Sequence, residues 1–512
     1  PAQLEVVIQG YTDAEHHIQL QFNGSYLGTI DFSGMTNKSK TLAVSPALLR
    51  EGANTVTLTA TGGDLDFGAV DVMRVTYAHT YRADNDSLSF SVGNRSALVG
   101  GFSSAAIRVI DITNPSAPIE LAPKITNSSG SYGFAIQTTG AVQNLIAFVD
   151  SLARQPSGIV KNQPSNWNSS TNAADMLIIT HSDFRASADA LAAARRAQGM
   201  KVAVVDTEDV YDEFSYGAHT PQAVKDFLAW SNGHWTTTPR YVLLFGDSSW
   251  DPRNFMGQGY NDYVPTKMVD TTELETSSDD WLADFNSDGI PEVALGRLTA
   301  RTTADASTMV AKILNYDRER AASAPLRGAL LVADGGFESQ SNQVQNILAP
   351  LTTVQALNRS TIGNDNLMRT QIVDAIDQGP TIVNYFGHGS VTVWTGAGLL
   401  DEANGSTLTN NNRQSLFVMM TCLNGYASDA YIDSLAEVVL KNPQGGAFAV
   451  WASSGITEPV GQAQMNGQLY QLLLGSHPMT LGDAVRQAKM GTADLDVRRT
   501  WILLGDPSMR IK

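Results

Sequence analysis

Near residue 173 the hydrophobic pattern of the chain changes period, and the change limits it to a β-rich part followed by an α/β part. Before that point apolar and polar residues alternate over short runs such as residues 4–9, 17–22, 26–32 and 54–60. Period two sends successive side chains to opposite faces of a strand, so one face is buried and the other solvated. Asn23-Gly24 stands between two of these runs, and both residues accept the positive φ that a tight hairpin requires. Further strand-like runs at 106–112 and 131–137 are separated by Pro115 and Pro118. Residues 1–154 are expected to form a β-sandwich domain, or two small β units. Residues 155–172, with two prolines, four serines and four asparagines, read as a linker.

From residue 173 short continuous apolar runs take over, at 176–180, 201–206, 241–245, 329–333, 381–386, 416–421 and 447–452. Helical stretches lie between them, including 186–198 closed by Gly199, and a helix whose N-cap and first position are Thr220-Pro221. Strands buried on both faces and alternating with helices imply an α/β domain over 173–512, with a mainly parallel sheet covered by helices. Sites in such sheets lie beyond the carboxyl ends of the strands.

At 512 residues the chain needs more than one core, and a formal net charge of -17 weighs against nucleic acid or an anionic lipid surface as partner. No apolar run is long enough for a transmembrane segment. The sequence opens at Pro1 with no Met and no leader-like stretch, as a processed or trimmed form would.

Cys422 is the one cysteine, which excludes an intrachain disulfide and any multi-cysteine metal site. Two apolar strands end in reactive side chains. Thr381-Ile-Val-Asn-Tyr-Phe-Gly-His388-Gly-Ser390 runs into a histidine between glycines, and Leu416-Phe-Val-Met-Met-Thr-Cys422-Leu-Asn-Gly425 runs into the cysteine. If the strands are parallel neighbours, His388 comes within reach of Cys422. An unperturbed thiol is only a few per cent thiolate at neutral pH, so an imidazole partner is the simplest activator, and it can then protonate the leaving amine. The amides of Gly389 and Cys422 are the natural oxyanion donors. Taken singly, each residue has a plainer reading: a small buried hydrophobe for the cysteine and a locally satisfied side chain for the histidine. His16-His17, in strand context, reads as a surface pair.

Asp284-Phe-Asn286-Ser-Asp288-Gly289-Ile290-Pro-Glu292 places oxygen ligands at alternate positions with Gly sixth, as at the start of a calcium loop. The full twelve-residue pattern is absent. A short Ca²⁺ loop using Asp284, Asn286, Asp288, the Ile290 carbonyl and Glu292, with Asp279 and Asp280 as possible helpers, stands beside an Asp/Asn/Gly turn. No cofactor is expected for catalysis.

Phe386-Gly-His388-Gly-Ser390 and Met420-Thr-Cys422-Leu-Asn-Gly425, in this order, resemble the histidine and cysteine motifs of the gingipain family of cysteine peptidases. The similarity extends from about residue 175 to the end through Tyr241-Val-Leu-Leu-Phe-Gly-Asp247, Pro291-Glu-Val-Ala-Leu-Gly-Arg297 and Trp501-Ile-Leu-Leu-Gly-Asp-Pro507. The resemblance implies a caspase-like fold and an endopeptidase that forms a thioester on Cys422, with His388 as general acid and base and a protein or peptide as substrate. It also implies secretion or display on a bacterial surface, with the N-terminal β domain left to contact a partner or a prosegment. Gingipains carry a glutamate that orients the histidine, and the matching place here is Asp334 in Leu331-Val-Ala-Asp334-Gly-Gly336. Glu338 falls roughly where a specificity carboxylate comes, or else is a solvated residue starting a helix. The strand ending at Ser453 and Ser454 corresponds to a pocket wall, although Gly455-Ile-Thr-Glu458 departs from the family pattern. Two alternatives remain open: a sortase-like transpeptidase using the same dyad, and an inactive surface binding protein.

Overall fold

The computed structural model describes residues 2–511 apart from Thr139, Ser157, Val160, Ser323 and Ala324, and the chain divides into two compact units, 1–161 and 162–512.

The first unit is β throughout apart from single helical turns, because its alternating runs bury one face each. Strands Ala2–Gly10, Asn37–Val44 and Gly68–Thr76 form one antiparallel sheet, and Glu15–Phe22, Ser25–Ser33 and Val56–Ala60 form another. Leu4, Val6 and Ile8 from the first sheet meet Ile18, Leu20 and Phe22 from the second in one buried cluster. A second cluster, with Val92, Val99, Phe102, Val109, Phe134 and Leu145, belongs to the sheets that follow. Asn23 and Gly24 do turn with positive φ, 48° and 82°. The histidine pair is not a surface pair. His17 is exposed, but His16 is fully buried, stacked on Phe32, with Nδ1 2.8 Å from Asp66 Oδ1. The register puts His16 on the core face, where the carboxylate offsets its desolvation.

The second unit is built on ten strands: β1 (Met176–Thr180), β2 (Val202–Asp206), β3 (Tyr241–Phe245), β4 (Ala294–Leu298), β5 (Ala329–Ala333), β6 (Val354–Asn358), β7 (Ile382–Phe386), β8 (Ser415–Met420), β9 (Ala447–Ser453) and β10 (Trp501–Leu504). They form one sheet in the order β2-β1-β3-β4-β10-β9-β8-β7-β5-β6. Leu243 and Phe245 pack into one cluster and Val242 and Leu244 into another, so both faces of β3 are covered and its run is apolar without alternation. Helices such as Arg185–Ala197 cover the first face, and Pro221–His234 lies on the second.

Every neighbouring pair in the sheet is parallel except β9 with β10. Because β10 is parallel to β4, the two halves of the sheet point their carboxyl ends in opposite directions. A Cβ on Gly296 of β4 would collide with the Gly505 carbonyl, which explains the glycine before Arg297 at this junction. Part of the segment expected as a linker belongs to this unit: Trp167 stacks on Trp235 and donates its N–H to Glu213 at 2.8 Å.

Candidate active site

The sheet order makes β7 and β8 neighbours, with Phe386 opposite Met420 at their carboxyl ends. His388 and Cys422 each stand two residues beyond that pair. The two segments stay side by side past the strands, since Gly387 N–H donates to the Met420 carbonyl at 3.3 Å. A Cβ on Gly389 would meet Thr421 Oγ1 at 2.5 Å, so glycine is what permits this approach.

Cys422 sits on a tight turn. The Asn424 N–H closes on the Cys422 carbonyl at 2.8 Å, with Leu423 between them at φ 60°. A bulky residue in this region is strained, and such strain persists only where surrounding bonds impose it. Here Leu423 N–H donates to Gly455 O at 3.1 Å and Gly425 N–H to Ser453 O at 2.8 Å, fixing the turn to the end of β9. The half-buried thiol donates to Thr457 O at 3.7 Å. Burial pushes its pKa up, the Thr457 bond draws it back, and the Glu458 carboxylate adds to the rise. At rest the group is therefore a thiol, and making the thiolate falls to a base.

His388 is exposed, with its ring edge-on to Phe337 at 5.2 Å between centroids. Its carbonyl accepts from Tyr385 O–H at 2.7 Å and from Thr395 N–H at 2.8 Å, so the backbone is pinned. Among the described residues no hydrogen bond joins the ring to the thiol or to a carboxylate. Catalytic bonds of this kind commonly tighten only when substrate binds.

Asp334 does reach the end of β5 beside β7, where its N–H donates to the Phe386 carbonyl at 2.8 Å. Its carboxylate, however, accepts from Gly335 N–H at 2.8 Å and Arg359 Nη1 at 2.9 Å, not from His388. Burial pulls its pKa up, but Arg359, Gly335 and the Thr395 hydroxyl outweigh burial and hold the carboxyl below the usual range. The short aspartate side chain stays with its own turn and with the guanidinium next to it. Glu338 opens the helix Glu338–Leu348 and accepts from Gly336 N–H at 3.0 Å and from the Ser360 hydroxyl. It serves its local turn, and among the described residues no hydrogen bond joins it to His388 or Cys422.

Ser453 and Ser454 do not present their hydroxyls to an open pocket. Both are fully buried, Ser453 donating to Gly455 O at 3.1 Å and Ser454 to Ser277 O at 2.6 Å. The backbone beyond them, residues 455–458, is what borders the thiol. As an oxyanion donor, the Cys422 N–H has no partner among the described residues, and Gly389 is opposite Trp394 in the short pair that follows His388.

One contributor escaped the sequence reading. Asn424 is fully buried, and its Nδ2 donates to Ser390 O at 2.5 Å and Val393 O at 3.3 Å, joining the cysteine turn to the histidine turn. The signal was its place two residues after the nucleophile and before Gly425.

The loop at 284–292 closes on itself. Asp284 accepts from Asp288 N–H at 3.1 Å and Gly289 N–H at 2.9 Å, Asn286 from Asp288 N–H at 3.0 Å, and Asp288 from Ile290 N–H at 2.9 Å. Glu292 accepts from Phe285 N–H at 2.5 Å. Asp279 and Asp280 are engaged elsewhere, with Arg297 and Lys489. Among the described residues no three His, Cys, Asp or Glu side chains gather as a metal set.

Comparison with known proteins identifies the family of the α/β unit. The model of peptidase family C25 matches residues 169–512. Gingipain R2 of Porphyromonas gingivalis is 24% identical over 346 residues, covering 62% of this chain and 43% of that protein. Gingipain R1 of the same species is 24% identical over 346 residues, covering 62% of this chain and 32% of it. The chain thus spans less than half the length of these curated relatives. Among solved structures, the Arg-specific cysteine proteinase gingipain R superposes with a TM-score of 0.55 at 20% identity, over 69% of this chain and 80% of that one. Dimeric latent PorU from P. gingivalis superposes with a TM-score of 0.55 at 17% identity, over 100% of this chain and 48% of that one. The first of these likenesses carries the fold of the α/β unit, and the second extends over the β-rich region as well.

Proposed function

We propose a function from one premise: the chain belongs to peptidase family C25. It is a cysteine endopeptidase whose nucleophile is Cys422 and whose proton-transfer partner is His388. The observation that carries this reading is the register of β7 on β8, which sets both residues equally far beyond paired strand ends. His388 takes the thiol proton as the sulfur attacks the substrate carbonyl carbon. The oxygen becomes an anion facing the N–H groups of Cys422 and Gly389. Collapse breaks the C–N bond, and the imidazolium gives its proton to the departing amine. Water, losing a proton to His388, then hydrolyses the thioester and frees the thiol. Asp334 is assigned a supporting role, its charge lying at the end of the strand next to that of His388.

Transfer to an amine uses the same thioester and differs only in the acceptor. Turnover of a peptide substrate in H₂¹⁸O with an added amine separates the two. The proposal expects a product carboxylate carrying one ¹⁸O; an amide product assigns a transpeptidase, and no product with no Cys422 acylation assigns an inactive binding protein. The family relation supports a site of action outside the cell or at the surface of a bacterium. Among the described residues no helix is long and apolar enough to cross a membrane.

We further propose that the 284–292 loop takes Ca²⁺. Support comes from Asp284, Asn286 and Asp288, whose side-chain oxygens are gathered on the backbone N–H groups of one tight turn. A ligand that binds only the folded state stabilises it by about 2.7 kcal/mol at a hundredfold excess over Kd. Melting of the chain with calcium and with chelator is expected to differ, and Asp288→Ala to remove the difference. Coincident melting curves would return the loop to a plain turn.

A further inference from the structure

We propose that Asn424 is a positioning residue that locks the His388 turn onto the Cys422 turn and thereby sets the alignment of the two reactive side chains; this rests on the peptidase reading above. The residue belongs to three structures at once. Its N–H closes the turn on the Cys422 carbonyl at 2.8 Å, and its carbonyl accepts from Ala436 N–H at 3.1 Å in the helix Leu435–Lys441. Its Nδ2 donates both protons to the segment after His388, to Ser390 O and Val393 O, the two residues paired across that short hairpin. Tyr385 O–H holds the carbonyl of His388 itself from the other side.

The chemistry at this position is specific. Asn424 is fully buried, so its own amide has no solvent to turn to in place of the two carbonyls it serves. Among the described residues its Oδ1 has no partner, so the amide nitrogen, not the oxygen, is what the site uses. An aspartate here would set a second oxygen against two carbonyl oxygens, and alanine would remove the donor that ties the two turns together. Both ends of the clamp are backbone next to the reactive residues, and the Leu423 φ of 60° shows that the cysteine turn must be held against its own preference. A shift of about 1 Å in such an alignment costs on the order of 10²-fold in rate.

The test uses the full chain as wild type, Asn424→Ala, Asn424→Asp, Tyr385→Phe and His388→Ala. Three quantities are read: kcat and KM on a peptide from pH 5 to 9, the pH profile of Cys422 alkylation by iodoacetamide, and the melting temperature. The expected result is a kcat loss of about 10²-fold in both Asn424 variants with KM changed by less than about threefold. Relative to wild type, Asn424→Asp should recover toward acid pH, where its protonated carboxyl can again donate to Ser390 O. Alkylation of Asn424→Ala should follow the His388→Ala profile, because thiolate formation then lacks an aligned base. Tyr385→Phe, which loosens the same turn from the other side, gives a smaller loss of the same kind and serves if neither Asn424 variant folds. A kcat within about threefold of wild type overturns the proposal, as does a loss that tracks melting temperature alone with no change in either pH profile. If wild type cleaves no peptide, the peptidase reading fails separately, and the alkylation profiles still decide the role of Asn424.

Discussion

Cys422→Ala is expected to remove peptide cleavage, and His388→Ala to cost nearly as much, on the order of 10⁶-fold in kcat, because groups that act as one unit fail together. The double variant should then be no worse than either single one. Neither change should disturb the fold. The thiol makes one long bond, to Thr457 O at 3.7 Å, and the His388 ring is exposed, perpendicular to Phe337 at 5.2 Å between centroids. Melting temperatures near that of wild type, with initial rates on a quenched-fluorescence peptide, check both halves of the expectation. Several per cent of wild-type turnover in either variant would contradict it.

The largest expected effect on stability lies elsewhere in the unit. Arg297, in β4, is buried, with Nε and Nη2 each 2.7 Å from Asp279 and Nη1 at 2.8 Å from Gly246 O and 2.7 Å from Val264 O. Arg297→Met leaves the Asp279 carboxylate buried without its counter-ion and strands the carbonyls. Removing one partner of such a pair costs about 3–5 kcal/mol, whereas replacing both by apolar residues of similar volume is often close to neutral. Urea unfolding of Arg297→Met should show a lower midpoint at an unchanged slope, and Arg297→Met with Asp279→Leu should regain most of the difference. A single variant within about 1 kcal/mol of wild type would show that the pair contributes little.

What could be read without coordinates was whatever local periodicity encodes. Continuous apolar runs identified the strands of the large sheet, and runs ending in His388 and Cys422 marked the place of the candidate site, because parallel neighbours share carboxyl ends. Order within the sheet is a long-range property. Nothing local announces that β10, the last strand, inserts between β4 and β9 and reverses the direction of one half. Side-chain direction at the ends of strands was equally hidden. Ser453 and Ser454 were expected to face substrate, yet their hydroxyls turn to Gly455 O and Ser277 O. For Asp334, the sequence supplied an acid at the right strand end but not Arg359, which approaches from beyond β6 and takes the carboxylate. Asn424 went unnoticed because its partners, Ser390 and Val393, lie on another strand's loop, and only the neighbouring of β7 and β8 brings them to it.

The central claim is that Cys422 attacks substrate with the help of His388. It is tested most directly by a peptidyl acyloxymethyl ketone, which bonds to sulfur only after thiolate attack, followed by mass spectrometry of the digested chain. With one cysteine in the sequence, the adduct can be assigned without ambiguity. The account expects a single adduct on Cys422 in wild type at neutral pH, and labelling slowed by orders of magnitude in His388→Ala. An unlabelled wild type, or equal labelling rates in the two proteins, would contradict it.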